Sequence, residues 1–501
     1  MSITLIEGDW VVGFDGESHV LIRDGAVAFE HDRITWVGKS YDGPVGRKLG
    51  GSGRVIIPGL INMHNHAAVH TGELVIAETG RPDVFNSGIL SFLPTHGVKL
   101  GSEVDVSDEE YLVGTKFAFC EMLKAGATTI CEAGCLGATV DQVGGYAERF
   151  VEIVDQVGCR AYITPGFSSE NTYYDKEGRI IFEHDEGDGF AQLERAIRFI
   201  ETHHGAADGR VQGMLFPNID LLCSKELLNA CVQTAERLDL RMQTHCAEAL
   251  LNHHECLRRH RMSLVEYLAD AGWLGTRAIL GHAIFTSAHP WSAYARGRDI
   301  ELIAKSGASV VHCPTVFARR GVALHSFQRY LDAGINMCLG TDTYPMDIIA
   351  EMRHAAHICR VVEQDYAAAS SRDLFDAVTV NAAKALGRED IGRLAPGSKA
   401  DIVSMHMDKV PIGPYLDPIR AIVNCANGRD VETVVVDGEV LVDEGKLIHI
   451  DEDLLLAETK AVTQHDLAKI ATENWPGRNI HEIAPSSYPI VAHDISPTAV
   501  S

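Results

Sequence analysis

Between Val55 and Asp342 the chain repeats one rhythm, a short apolar run followed by a longer stretch with helical spacing. The runs are Val55–His66, Ala127–Gly134, Arg160–Phe167, Val211–Ile219, Leu240–Glu248, Ala278–Phe285, Ala308–Pro314 and Ile335–Asp342. They alternate little, so each reads as a parallel strand buried on both faces. Segments between them, such as Ser224–Asp239, Ser263–Gly272 and Asp299–Gly307, predict helices. Eight strands alternating with helices predict an α/β fold, a (β/α)8 TIM barrel.

Both ends of the chain have a different texture. Arg33-Ile34-Thr35-Trp36-Val37-Gly38 alternates apolar and polar positions between turns, the pattern of antiparallel hairpins. Similar patterning returns in Ala400–Met405 and Val431–Val442. The expectation is one small β-sandwich domain formed by both chain ends, with residues 1–57 as its N-terminal part and 393–449 as its C-terminal part. The barrel then occupies 58–392. Residues 450–501 open with helix formers and close on Pro485-Ser486-Ser487-Tyr488-Pro489, which predicts a C-terminal helix and an extended tail, packed on the body or on a second subunit.

Length agrees with this division, since 501 residues accommodate a barrel of about 250 residues and a smaller partner. Charge narrows the function. The net charge of −25, from 69 acidic against 44 basic residues, disfavours nucleic acid and anionic membranes as partners. A small neutral or cationic molecule is the easier substrate. The segment Met1–Glu7 has no basic region before an apolar core, and no apolar run reaches the ~18 residues of a membrane span. The twelve cysteines are scattered without a Cys-x-x-Cys pair, as small buried residues of a reducing compartment are. A cytoplasmic location is expected.

Metal-ligating residue types fall at the C-terminal ends of the predicted strands, where barrel enzymes place their chemistry. His64 and His66 end the first run, His245 lies near the end of the fifth, His282 of the sixth and Asp342 of the eighth. Residues two apart on a strand face the same side, so His64 and His66 can both point inward. Three imidazoles and a carboxylate, from His64, His66, His245 and Asp342, suit Zn2+, and Fe2+ is compatible with the same donors. The run His253-His254-Glu255-Cys256-Leu257-Arg258 fails the His-Glu-x-x-His metalloprotease pattern, because position 258 is arginine.

Several of these stretches have a specific wording. Val55-Ile56-Ile57-Pro58-Gly59-Leu60-Ile61-Asn62-Met63-His64-Asn65-His66 resembles the opening signature of the amidohydrolase superfamily. Thr244-His245-Cys246-Ala247-Glu248, Gly281-His282-Ala283, Val311-His312-Cys313-Pro314 and Leu339-Gly340-Thr341-Asp342 resemble its later signatures, in the same order. The likeness is to the branch of guanine and adenosine-type deaminases and triazine hydrolases, and it extends to about Leu447. Binuclear members bridge two metals with a lysine on the fourth strand. Here that strand reads Val211-Gln212-Gly213-Met214-Leu215-Phe216-Pro217, and Glu248 follows His245 by three residues as in mononuclear deaminases. The resemblance therefore implies one divalent ion and hydrolysis by metal-activated water. It casts Asp342 and His282 as the groups that take the water proton and stabilise the oxyanion, and Glu248 as the proton donor to a substrate ring nitrogen. It also implies a homodimer or higher homo-oligomer.

The expected activity is hydrolytic deamination of an amino-substituted N-heterocycle of aminotriazine, purine or pterin type. Hydrolysis of an amide, urea or carbamate C–N bond, or dechlorination, would use the same apparatus, and a non-catalytic scaffold is a third reading. The pocket loops depart from the relatives. Thr315-Val316-Phe317-Ala318-Arg319-Arg320 replaces a Ser-Asn continuation, and Thr343-Tyr344-Pro345-Met346-Asp347 follows the aspartate. His312, Arg319 and Phe92 are the candidate substrate contacts.

Overall fold

The computed structural model describes residues 3–67, 108–134, 143–163, 165–175, 177, 179–473, 480–483 and 485–490. The apolar runs of the middle form two parallel four-stranded sheets. Leu60–Asn65, Ala127–Glu132, Arg160–Ile163 and Val211–Gly213 make the first, in chain order. Met242–Cys246, Ala278–His282, Ser309–His312 and Asn336–Leu339 make the second, also in chain order. Bridges Leu215↔Met242 and Ile219↔His245 join the fourth strand to the fifth, and Asn65↔Asp342 joins the first to the eighth. The two sheets thus close into one eight-stranded parallel barrel. Every residue of Leu60–Asn65, Ala127–Glu132, Met242–Cys246 and Ala278–His282 is buried, which is why these runs show no alternation.

Helices cover the outside of the barrel. In Lys225–Leu238, Leu227, Leu228, Cys231, Thr234 and Ala235 form the buried stripe, at the three- and four-residue spacing of one helix face. Ser224 starts it by accepting the Leu227 N–H at 3.0 Å, and Asp239 ends it in a left-handed conformation.

The two chain ends share one eight-stranded sheet. Its order is Lys446–Leu447, Glu439–Asp443, Val431–Val436, Ile402–His406, Arg47–Pro58, Thr4–Phe14, His19–Glu30, Arg33–Gly38. The far strand returns to the middle of the sheet, because the Ile34 N–H donates to Ser398 O at 2.9 Å and Arg33 bridges Lys399. The sheet therefore rolls over a core of its own that includes Ile6, Val27, Phe29, Ile56, Ile402 and Val435.

Two features differ from the pattern-based expectation. The run Val55–His66 is two strands, one in each body, with the joint at Pro58-Gly59. A Cβ at Gly59 would lie 2.1 Å from Thr128 Oγ1, so only glycine lets the chain cross there. Both halves are apolar, so hydropathy reads the two strands as one run. An antiparallel pair, Glu170–Tyr174 with Ile180–His184, also leaves the barrel after the third strand. The C-terminal helix Glu452–Glu473 packs beside Asp108–Lys124, where Lys124 pairs with Glu452. Among the described residues no helix is long and apolar enough to cross a membrane.

Candidate metal centre and active site

The barrel strands end around one cluster of nitrogen and carboxylate donors. Ligand atoms of His64, His66 and His245 lie within 4.8 Å of one another, as do those of His64, His282 and Asp342. His66 Nε2 faces His245 Nε2 at 2.9 Å, and Asp342 Oδ1 lies 3.4 Å from His66 Nε2 and 3.9 Å from His64 Nε2. His282 Nε2 is 3.8 Å from Asp342 Oδ2. All five residues are buried.

Neighbouring groups select the nitrogen that each ring turns inward. His64 Nδ1 donates to Gln243 Oε1 at 2.8 Å, and Gln243 is itself held by donating to Met63 O at 2.8 Å. His245 Nδ1 donates to the carbonyl of Asn218 at 2.6 Å. Each of these rings thus presents an unprotonated Nε2 to the centre. Burial, reinforced by His245, holds His64 down to about 3, and burial likewise lowers His66, His245 and His282. His64 Nε2 and both nitrogens of His282 have no hydrogen-bond partner despite their burial. Orphaned neutral imidazole nitrogens facing a carboxylate fit a divalent metal ion. His282 and Asp342 also sit at φ of +80° and +63°, a region that non-glycine residues rarely occupy and that is concentrated at functional sites.

Glu248 reaches the same chamber. One of its oxygens lies within 4.8 Å of ring nitrogens of His245 and His282. The turn carrying it is fixed by Asp220, which is fully buried at the end of the fourth-strand segment. Asp220 accepts the N–H of Ala247 at 2.9 Å and of Leu221 at 2.7 Å, and burial pushes its carboxyl up to about 7. The fourth strand also contributes Phe216, whose ring packs edge-on against His245 at 5.2 Å. An apolar ring thus stands beside the donors on the strand from which a bridging lysine would come.

The structure brings together His64, His66, His245, His282, Asp342 and Glu248, and separates the remaining candidates. His312 is buried and held down to about 3 by burial, but belongs to none of the donor groups found among the described residues. Arg319 turns to Thr343, with Nη2 at 3.3 Å from Oγ1. Phe92 lies outside the described residues. Sequence reasoning missed Gln243, although its position two residues before His245 on an inward face was a usable signal. It also missed Arg320, whose Nη1 lies 3.9 Å from Glu248 Oε1. The carbonyl of Asn218 has no sequence signature.

The comparison with known proteins settles the family, because the model of the Amidohydrolase family matches residues 55–441. The chain belongs to the amidohydrolase family. The 5'-deoxyadenosine deaminase of Methanothermobacter thermautotrophicus is similar to this amidohydrolase at 27% identity over 445 residues, 88% of this chain and 94% of the relative. The 8-oxoguanine deaminase of Pseudomonas aeruginosa is 27% identical over 461 residues, 90% of this chain and 95% of the relative. The fold also matches the atrazine chlorohydrolase of Arthrobacter aurescens TC1, solved with zinc, at a TM-score of 0.75 and 24% identity. That match covers 92% of this chain and all of the other.

Proposed function

We propose that this amidohydrolase deaminates an amino-substituted purine-type heterocycle, using one Zn2+ held by His64, His66, His245 and Asp342. The observation that carries the reading is Glu248, a proton-transfer carboxylate set within 4.8 Å of His245 and His282 in the same buried chamber as the donor set. Two relatives with deaminase names, one for an adenine nucleoside and one for an oxidised guanine, support the purine class. Phe216 beside His245 supports a single ion.

When bound, a divalent ion at these donors supplies the Lewis acidity that makes water nucleophilic near neutral pH. Asp342 and His282, 3.8 Å apart, can both reach one attacking water. Asp342 accepts a proton from the attacking water, and His282 donates a hydrogen bond to the oxygen that becomes negative. Glu248 delivers a proton to the ring nitrogen next to the carbon under attack. The new C–O bond forms as that ring bond shifts its electrons onto nitrogen. The proton taken up by Asp342 passes to the exocyclic amine, the C–N bond breaks as ammonia leaves, and the hydroxyl on that carbon gives its proton back to Glu248, leaving a lactam.

The test is ammonia release by the zinc-loaded enzyme from adenosine-type nucleosides, oxo-aminopurines, aminotriazines, aminopterins and aryl ureas. Ammonia from a purine with the ring retained is the expected result. Turnover of a urea or an amide with none of the amino-heterocycles consumed would overturn it. An Asp342→Ala variant is expected to lose turnover entirely, and unchanged turnover would remove the mechanism. Self-association into a homodimer or higher homo-oligomer belongs to the same proposal, and light scattering on the purified protein tests it.

A further inference from the structure

His64 and His245 are each held by a hydrogen bond at one ring nitrogen, whereas neither nitrogen of His282 has a hydrogen-bond partner. The His282 ring is therefore set by its packing and by its backbone. Phe317 packs edge-on against it at 4.6 Å between ring centres, and His64 at 4.7 Å. The backbone is strained. His282 and Ala283 stand in succession at φ +80° and +47°, both in the left-handed region, although neither is glycine. Such residues cost free energy because Cβ crowds the following carbonyl, and they persist only where the surroundings fix them.

Hydrogen bonds from two sides tie this turn down. The Ala283 N–H donates to Cys246 O and the Phe285 N–H to Ala247 O, each at 2.8 Å, which joins the turn to the end of the fifth strand. From the other side Tyr330, fully buried in helix Phe327–Asp332, donates its hydroxyl hydrogen to Ala283 O at 2.6 Å. Thr286 Oγ1 lies 3.2 Å from the same hydroxyl. A phenol has one hydrogen, here given to Ala283, so Thr286 is the donor in that pair. Burial pushes the Tyr330 phenol up, so the hydroxyl keeps the proton it donates. The tyrosine is anchored in turn, because the Ile335 N–H donates to Tyr330 O at 3.1 Å. Among these ties on the turn, the tyrosine's is the one made by a side chain.

We propose that Tyr330 is a positioning residue, whose hydroxyl holds the left-handed His282–Ala283 turn and so aims the His282 ring at the oxygen on the reacting carbon. The consequence for turnover rests on the deaminase reading of His282, while the hold on the turn is a property of the fold.

Hydrogen exchange of the zinc-loaded enzyme, read by mass spectrometry, tests the hold directly. Tyr330→Phe keeps the ring and removes only the hydroxyl. Exchange at the Ala283 and Phe285 amides is expected to accelerate about 5- to 150-fold, the worth of a buried acceptor left unsatisfied. The Asp342 amide, which donates to His64 O at 2.9 Å beyond the eighth strand, should exchange as before. The same variant should lower kcat about 10- to 100-fold, part of what an oxyanion donor is worth, with KM and zinc content unchanged. In a His282→Asn background it should lower kcat no further. If the phenylalanine variant does not fold, Thr286→Val, which removes the donor behind the hydroxyl, decides on the same amides. Unchanged exchange at the turn would overturn the proposal, and so would a rise shared equally by Asp342, which reports loosening of the whole fold. An unchanged kcat beside faster exchange would overturn the positioning role. So would a loss of kcat that adds to that of His282→Asn, by showing that Tyr330 acts on something other than His282. No ammonia from any amino-heterocycle, with exchange accelerated at the turn alone, would instead refute the deaminase reading and leave the hold of Tyr330 on the turn standing.

Discussion

Gln243 does for His64 what the Asn218 carbonyl does for His245: it occupies one ring nitrogen so that the other is left bare for a metal. Replacing Gln243 by leucine is expected to weaken zinc binding about 10- to 100-fold, read by competition with a chelating dye, because the ring can then rotate and change tautomer. Glu248→Gln separates binding from proton transfer. It should retain zinc and lower kcat by roughly 100- to 10,000-fold, the usual worth of a general acid–base group. At this scale the sequence is most informative where spacing constrains geometry. His64 and His66 are two apart on a strand and had to share a face, whereas Arg319 and Arg320 sit at a helix end, where spacing says nothing about which side chain turns inward.

Helix Ile348–Glu363 follows the eighth strand and shows how an element is tied to its surroundings. Its cap, Asp347, accepts the N–H groups of Ile349 and Ala350 at 3.0 Å, and its other oxygen accepts the Gly428 N–H at 2.8 Å from outside the barrel. Asp347→Ala should cost about 1–2 kcal/mol in urea unfolding, at the upper end for a lost cap. One turn on, buried Glu351 accepts the N–H of Thr315 at 3.1 Å, and burial pushes its carboxyl up from the ordinary 4.5 to about 8. The folded chain thus holds a proton on Glu351 that the unfolded chain releases above about pH 4.5. The stability gained from this group is fully present below that pH and is lost as pH rises toward 8. Glu351→Gln keeps an acceptor and cannot ionise. Its Tm relative to wild type should rise between pH 5 and 8, and a constant difference across that range would show that Glu351 titrates normally.

Across the whole molecule, one buried guanidinium joins the barrel to the rolled sheet. Arg160 begins the third barrel strand, pairs with Asp401 and donates from Nη2 to Asp437 Oδ1 at 2.7 Å, with 1% of its side chain exposed. Arg160→Leu leaves buried Asp401 without its cation, while Asp437 keeps Lys399 at 2.8 Å, and should destabilise the protein by about 3–5 kcal/mol. If the proposed ion binds only the folded barrel end, chelation should lower the Tm of the metal-loaded enzyme and raise its sensitivity to protease. An unchanged Tm after zinc removal would mean that the donor cluster does not hold the ion tightly.

The sequence by itself determined the eight-strand rhythm, the two β-rich ends and the residue types at the strand termini. Each of these follows from local periodicity or from chemistry that a single stretch of chain carries. Only the tertiary structure decided that Val55–His66 is two separate strands, that Asp220 and Gln243 brace the centre, and that Arg320 rather than Arg319 faces Glu248. Those outcomes depend on contacts between residues far apart in the chain and on the direction a side chain takes at a turn. Hydropathy does not encode either.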